Sequence, residues 1–351
     1  MFFRKLIIVL ALLFIFGVIY YFYLRHSNSN KINNSNSVQV IQPGIKAPKI
    51  EGITHWINTS RIKLEQLKGK VVLVDFWAYS CINCIRTLPY LKKWYEKYKD
   101  DGFTIIGVHK AEFDFEKDLK NVKKAVERFG LTYPIAMDNN DKTWNNYRNR
   151  YWPAHYLIDQ NGIIQKIHIG EGDYLEMENA IRNLLGLSPI SEKQIEQGGF
   201  SSVTPETYLG YLRGNSYHKD IVLKRNQIAT YNYQGDLNIN QVGIRGSWLA
   251  LPEYIQTKSN DCILNLNFIA NRVYLVMSSK KSQEIDVFLD NMPLNKKYYT
   301  KDFNDEGKIV VDEPRMYDIL DLKGDNNKHI LTLKLPKDVS LYAFTFGAGK
   351  E

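Results

Sequence analysis

Two cysteines three positions apart, Cys81 and Cys84, are the residues of this 351-residue chain best placed to do covalent chemistry. They lie in the segment VVLVDFWAYSCINCIRTLPYL, which runs from Val71 to Leu91. Its apolar first part reads as a buried strand ending at Trp77. After the cysteines, Leu88, Leu91, Tyr95 and Tyr98 recur at helical spacing. Cys81 then falls where a helix begins, and residues three apart share one helix face and can bridge. Unpaired N–H groups and the macrodipole at a helix start favour an anion, here the thiolate of Cys81. Thiolate is the attacking species in thiol–disulfide exchange. Cys84, one turn further in, should be better buried and able to attack a mixed disulfide held on Cys81. The pair could also form a purely structural Cys81–Cys84 disulfide. Structural zinc wants four ligands, and no second pair or Cys/His cluster stands nearby. No metal and no cofactor are expected. The third cysteine, Cys262, sits in the alternating run CILNLNF and reads as a small buried apolar residue.

The elements around this pair follow a β-α-β-α-β-α-β-β-α order. Strands are expected over Val71 to Trp77, Phe103 to Val108, Tyr133 to Met137, Ala154 to Asp159 and Ile163 to Ile169. The last two flank Asn161-Gly162, which marks a tight hairpin. Helices are expected after Cys81, over Asp114 to Phe129 with Gly130 closing it, over Lys142 to Arg150, and over Tyr174 to Leu185. Such alternation implies a central mixed sheet flanked by helices. Asp75 would be buried in a strand this apolar, and a buried carboxylate usually has a function.

At this point the sequence resembles the thioredoxin superfamily. Asp75-Phe-Trp-Ala, Cys81-Ile-Asn-Cys84 and Pro89 match its pattern in order and spacing. The resemblance implies that Asp75 moves the proton of the inner cysteine, that Trp77 shields the pair, and that Pro89 kinks the helix. It also implies a cis-proline facing the cysteines, a part given to Pro153 in Tyr-Trp-Pro-Ala, with Trp152 offering backbone groups to an extended substrate. The helix over Asp114 to Phe129 is similar to the insertion of the membrane-tethered TlpA-like branch. FWAYSCINC, GVHKAEF, YWPAHYLID, TPETYLGY and YAFTFG resemble the DipZ-type proteins, which join such a domain to a C-terminal β-sandwich. Peroxiredoxins share the fold, but Ala78 stands where their pattern needs Thr. His109 and Glu112 follow the second strand and either tune the site or belong to a solvated loop. His155 reads as structural.

Beyond about residue 190 the runs CILNLNFIA, RVYLVMS, EIDVFLD, HILTLKL and SLYAFTF alternate with turn residues and no strong helix. An antiparallel, jelly-roll-like sandwich is expected there. Trp248 and the many tyrosines of this half could line a sugar-stacking platform, as in a carbohydrate-binding module, or simply pack its core. At the other end, Leu6 to Leu24 is free of charge and reaches roughly 28 Å as a helix, enough for a bilayer core. Its bulky residues favour an uncleaved signal anchor over a cleaved signal peptide. The resulting plan is an anchor over 1–24, a Ser/Asn-rich tether over 25–42, a thioredoxin-like domain over 43–188, a linker over 189–205 and a β-sandwich over 206–351. The net charge of +8 is spread along the chain, with no basic stripe that would imply nucleic acid as a partner.

Together these features imply a single-pass, membrane-anchored disulfide reductase in the extracytoplasmic space, the periplasm. Its substrates would be thiols and disulfides of exported proteins, with cytochrome maturation among the tasks. DipZ-type chains often carry a multi-span electron-transferring portion in front; a single span here implies a separate donor of the CcdA/DsbD type. A rival reading makes the chain a binding or scaffold protein, whose sandwich recognises glycan or a protein partner. A peroxiredoxin-like antioxidant is a lesser alternative.

Overall fold

The computed structural model describes residues 41–191 and 204–347. The expected anchor, nearly all of the tether and most of the expected linker lie outside the described residues. Among the described residues no helix is long and apolar enough to cross a membrane.

The first half is built on β1 (His55–Ile57), β2 (Val71–Trp77), β3 (Phe103–His109), β4 (Ile135–Met137), β5 (Ala154–Ile158) and β6 (Ile164–Ile169). They form one mixed sheet in the order β1-β4-β3-β2-β5-β6. The centre, β4-β3-β2, is parallel, and both edges are antiparallel. Every residue of β2 is buried, as its unbroken apolar run requires of a strand covered on both faces. One face of β2 packs through Val71, Leu73 and Trp77 on α1 (Ile82–Tyr98), α2 (Leu119–Phe129) and α4 (Tyr174–Leu184). On the other face Phe76 makes edge-on ring contacts with Trp144, Tyr147 and Tyr156, which pack it against the short α3 (Lys142–Asn146). The β5–β6 hairpin turns at Asn161-Gly162, where Gly162 has φ +84° and Asp159 accepts from the Asn161 and Ile163 amides.

Two of the expected helices are corrected. The stretch from Asp114 to Phe129 is a 3-10 turn (Asp114–Lys117) followed by α2, not one helix. Asp118 breaks it: extended at ψ 119°, it caps α2 by accepting from the Lys120 amide at 2.7 Å. The helix expected over Lys142 to Arg150 stops at Asn146, because Arg148 turns left-handed at φ +49°. The short edge strand β1 carries too little pattern to be foreseen.

The second half is all-β. Its strands are β7 (Thr207–Tyr208), β8 (Ile228–Asn232), β9 (Val242–Ala250), β10 (Ile255–Thr257), β11 (Cys262–Ile269), β12 (Arg272–Ser279), β13 (Gln283–Leu289), β14 (Met292–Pro293), β15 (Ile309–Val311), β16 (Arg315–Asp321), β17 (Lys328–Leu335) and β18 (Val339–Gly347). These strands pair antiparallel with one another, and two isolated parallel bridges, Tyr217 to Val242 and Arg225 to Ala250, join loop residues to β9. The path runs β14-β13-β17-β11-β9-β10-β18-β12-β16, and the sheet encloses a single core of Ile, Leu, Val and Phe. Trp248 belongs to that core, fully buried with its indole N–H on the Arg245 carbonyl. It is therefore no stacking platform.

The corner of this domain is β9. Its first part, Val242–Arg245, pairs with β11, and its last part, Trp248–Ala250, pairs with β10. A strand that changes partners this way must bend. Gly246 supplies the bend at φ +98°, and a Cβ there would lie 2.8 Å from the Cys262 sulfur. Cys262 is wholly buried beneath it and donates to the Ser247 and Ser259 carbonyls. Gly246→Ala therefore meets both a disallowed backbone and a collision. It should destabilise the protein by about 2 kcal/mol or more, read as a lower denaturant midpoint. An unchanged midpoint would contradict this account of the corner.

Candidate active site

The site forms where β2 hands over to α1. The strand delivers Trp77, the loop Ala78-Tyr79-Ser80 turns, and Cys81 is the N-cap of α1. The Cys81 sulfur accepts the Cys84 amide at 3.3 Å, a contact that only a residue capping the helix can make. Cys81 is partly exposed, whereas Cys84 is wholly buried. Burial pushes the Cys84 thiol well above its ordinary range, and the neighbouring Cys81 and Asp75 add to the effect. The two sulfurs thus sit in opposite environments, one reachable and one sealed. Pro89 lies inside α1, and Thr87 holds the first turn through its hydroxyl on the Cys84 carbonyl at 2.8 Å.

The loop before Cys81 is braced by a residue that the sequence pattern does not single out. Glu116 is buried and accepts four hydrogen bonds: Ser80 amide at 3.0 Å, Ser80 hydroxyl at 2.9 Å, Glu112 amide at 2.7 Å and Phe113 amide at 3.1 Å. Burial pushes its carboxyl up to about 7, with the Glu112 charge adding, while these hydrogen bonds pull the other way. In sequence Glu116 looks like one charge among many on an amphipathic stretch. No signal in the sequence separates it from them, since the 3-10 turn that aims it at Ser80 appears only in the fold.

Asp75 lies at the centre of the sheet, wholly buried, and its charge is felt at Cys84 and at the buried Tyr133. Trp77 is also wholly covered, edge-on to His109 at 5.1 Å. No part of its surface is open, so it offers no face to a substrate, although the thioredoxin resemblance also suggests Trp77 as a substrate-binding residue. It lines the floor beneath the pair. His109 is likewise buried, in the core rather than in a solvated loop, with Tyr79 stacked on it at 5.6 Å. The Trp152–Pro153 peptide is cis, and Pro153 accepts the Gly170 amide at 2.9 Å. Trp152 leans on Trp144 at 4.6 Å, with the Lys110 ammonium 5.4 Å from its ring.

Cys81 opens on a cleft of about 320 Å³. Ile82, Asn83, Glu112 and Trp152 line it from the first half, and Glu206, Tyr208 and Phe346 from the second. The described residues from Gln42 onward belong to one compact unit. The segment after β3 joins its halves: Phe113 and Phe115 pack on Tyr342, and Tyr79 donates to the Pro314 carbonyl at 3.2 Å. Glu112 accepts from Tyr208 at 2.8 Å and from Arg213 at 3.0 Å. The sequence places Glu112 near the sulfur but does not show that the distant β-domain meets it there.

Residues 43–167 match the AhpC/TSA family, and residues 204–347 match a thioredoxin-like C-terminal domain. The thiol-disulfide oxidoreductase ResA of Bacillus anthracis is 31% identical over 144 residues, which are 41% of this chain and 79% of that protein. The chain belongs to the thioredoxin-like thiol-disulfide oxidoreductases of the TlpA/DipZ type. Protein DipZ of Mycobacterium tuberculosis is 40% identical over 267 residues, covering 71% of this chain. The chain spans 37% of that relative's length. A third relative, the chloroplastic protein SUPPRESSOR OF QUENCHING 1 of Arabidopsis thaliana, is 36% identical over 141 residues, 40% of this chain and 13% of its own.

His109 makes the site acid-sensitive. Burial pushes its imidazole down to about 3 from 6.5. As pH falls through 6.5 the unfolded chain takes up this proton and the native state does not. Stability is therefore intact above 6.5 and is lost progressively toward 3, by on the order of a few kcal/mol. His109→Phe should flatten that decline. Denaturant midpoints at pH 7 and pH 4.5 for both proteins check it, and an equal drop in both would contradict it.

Proposed function

We propose that the protein is an extracytoplasmic disulfide reductase working through a Cys81/Cys84 dithiol–disulfide couple. The observation that carries this reading is the asymmetry of the two sulfurs: Cys81 is reachable at a helix N-cap, and Cys84 is sealed one turn inside with its proton held on. Cys81 thiolate attacks a substrate disulfide, forms a mixed disulfide and releases the first substrate sulfur as thiolate. Cys84 then gives its proton to Asp75 and attacks the Cys81 sulfur. The second substrate sulfur leaves with the electron pair of the broken bond, and the enzyme is left as the Cys81–Cys84 disulfide. The substrate gains two electrons and the enzyme loses them.

Docking is the part of Trp152, which lines the cleft beside Cys81, and of the cis-Pro153 that follows it, whose backbone an extended segment would meet. Substrates are cysteines of exported proteins, including those handled in cytochrome maturation. The reducing equivalents come from a membrane donor of the CcdA/DsbD type. The apolar run over Leu6 to Leu24 holds the catalytic domain at the membrane, on its outer side. The likeness to ResA and DipZ supports this reading, as do the family matches over residues 43–167 and 204–347.

The test is a trap. In the Cys84→Ser variant the resolving attack is gone, so substrate proteins should accumulate as mixed disulfides on Cys81, recoverable under non-reducing conditions. The Cys81→Ser variant should capture none and should lose reduction of model disulfides by at least a hundredfold. Equal recovery from the two variants would sink the proposal.

A further inference from the structure

A row of three titratable side chains crosses the sheet beside the sulfurs. In register, Asp75 on β2 stands opposite His155 on β5, and His155 stands opposite His168 on β6. Residues in one cross-strand row project to the same face, so the row runs from the buried centre toward the sheet edge. The contacts follow it. His155 Nε2 lies 3.3 Å from Asp75 Oδ1, with 4% of the His155 side chain exposed and none of Asp75. The His155 and His168 rings stack at 5.9 Å with an 18° tilt. His168, 13% exposed, has its Nδ1 3.6 Å from an Asp173 carboxylate oxygen, and Asp173 keeps 66% of its side chain in solvent.

The 3.3 Å approach of His155 to Asp75 is a close contact and not a formed hydrogen bond, and among the described residues no hydrogen bond reaches these atoms. Neither Asp75 oxygen, nor His155 Nε2, nor His168 Nε2 has a hydrogen-bond partner there. Buried polar atoms are normally satisfied, and exceptions concentrate where a group must change its proton state. The other titratable groups facing Asp75 are Cys84 on α1 and Tyr133 ahead of β4, while β3 offers only Gly107 in that register. His168 faces Lys166, Asp173 and the Glu171 backbone as well as His155. Burial and His155 hold its imidazole below the ordinary range, which keeps it a neutral carrier at working pH.

We propose that Asp75, His155 and His168 form the path by which the proton of Cys84 leaves the protein. This rests on the roles proposed for Cys84 and Asp75 and adds the route. When Cys84 attacks, its S–H proton moves to Asp75 and its sulfur bonds to Cys81 as the Cys81–substrate bond breaks. Asp75 would then stay protonated and unable to serve again, since no solvent reaches it. His155 Nε2 takes that proton. The stacked His168, its ring centre 5.9 Å away, receives it through one bridging water and delivers it to solvent beside Asp173. One proton is released per enzyme disulfide formed, and Asp75 returns to carboxylate. In the reverse direction the same row supplies the proton when a donor reduces the enzyme.

The test follows the reaction of the reduced full-length protein with Ellman's reagent. Attack by Cys81 releases a first thionitrobenzoate, and attack by Cys84 on the adduct releases a second, so stopped-flow absorbance separates the two steps. In His155→Leu the second phase should slow at least tenfold near neutral pH and change its pH profile, while the first phase keeps its rate. Imidazole added to the buffer should restore part of the loss, which a merely structural role for His155 would not allow. His168→Leu should slow the second phase several-fold, again with rescue. An unchanged second phase and pH profile in folded His155→Leu would overturn the path while leaving the redox reading intact. If His155→Leu does not fold, His168→Leu decides: slowing with rescue supports the path, and no change overturns it. A wild-type protein that shows no second phase overturns the redox reading and the path together.

Discussion

A single sulfur has to stay open to solvent at the tip of a helix while a second, one turn away, is kept dry. This demand organises the first half of the molecule. Cys81 meets it by capping α1, where its sulfur takes the Cys84 amide, and Cys84 meets it by facing the core shared by β2 and the helices. The strand that delivers the loop is buried along its whole length, and its rigidity fixes where the helix begins. Glu116 adds a second anchor by tying Ser80 to the turn after β3. A carboxylate that accepts four donors holds a loop more firmly than the backbone contacts of that loop could.

The β-domain is drawn into the same arrangement. The segment between β3 and α2 serves two ends at once: Glu116 points back to the cysteine loop, and Phe113, Phe115 and Glu112 point forward to Tyr342, Tyr208 and Arg213. The cleft at Cys81 is therefore walled by residues of both halves. Under the proposed function, a cleft shared in this way would restrict which disulfides can present themselves, and would place selectivity partly in residues more than a hundred positions from the sulfur.

Much of this architecture is legible in the chain's own pattern. The order of elements from Val71 to Leu184, the hairpin at Asn161-Gly162 and the five long β-runs of the second half follow from burial periodicity and turn chemistry alone. Where pattern and structure part, a local feature outvotes the periodicity. Asp118 caps a helix rather than continuing one, and left-handed Arg148 ends another. Strand β9, with Gly and Arg in its middle, hides its character because its residues serve two different pairings around Gly246.

Two cysteines three positions apart, the first of them at a helix start, are written in the order of the residues. These follow from short-range rules, since a cap, a turn and a three-residue spacing are settled within a few residues. Which partners those groups meet is a matter of the folded core. His155 reads as a packing residue until strand register sets it against Asp75 and His168, and Glu112 reads as a loop charge until Tyr208 and Arg213 close on it. Such contacts join residues tens to hundreds of positions apart, and only packing of the whole core fixes their distances.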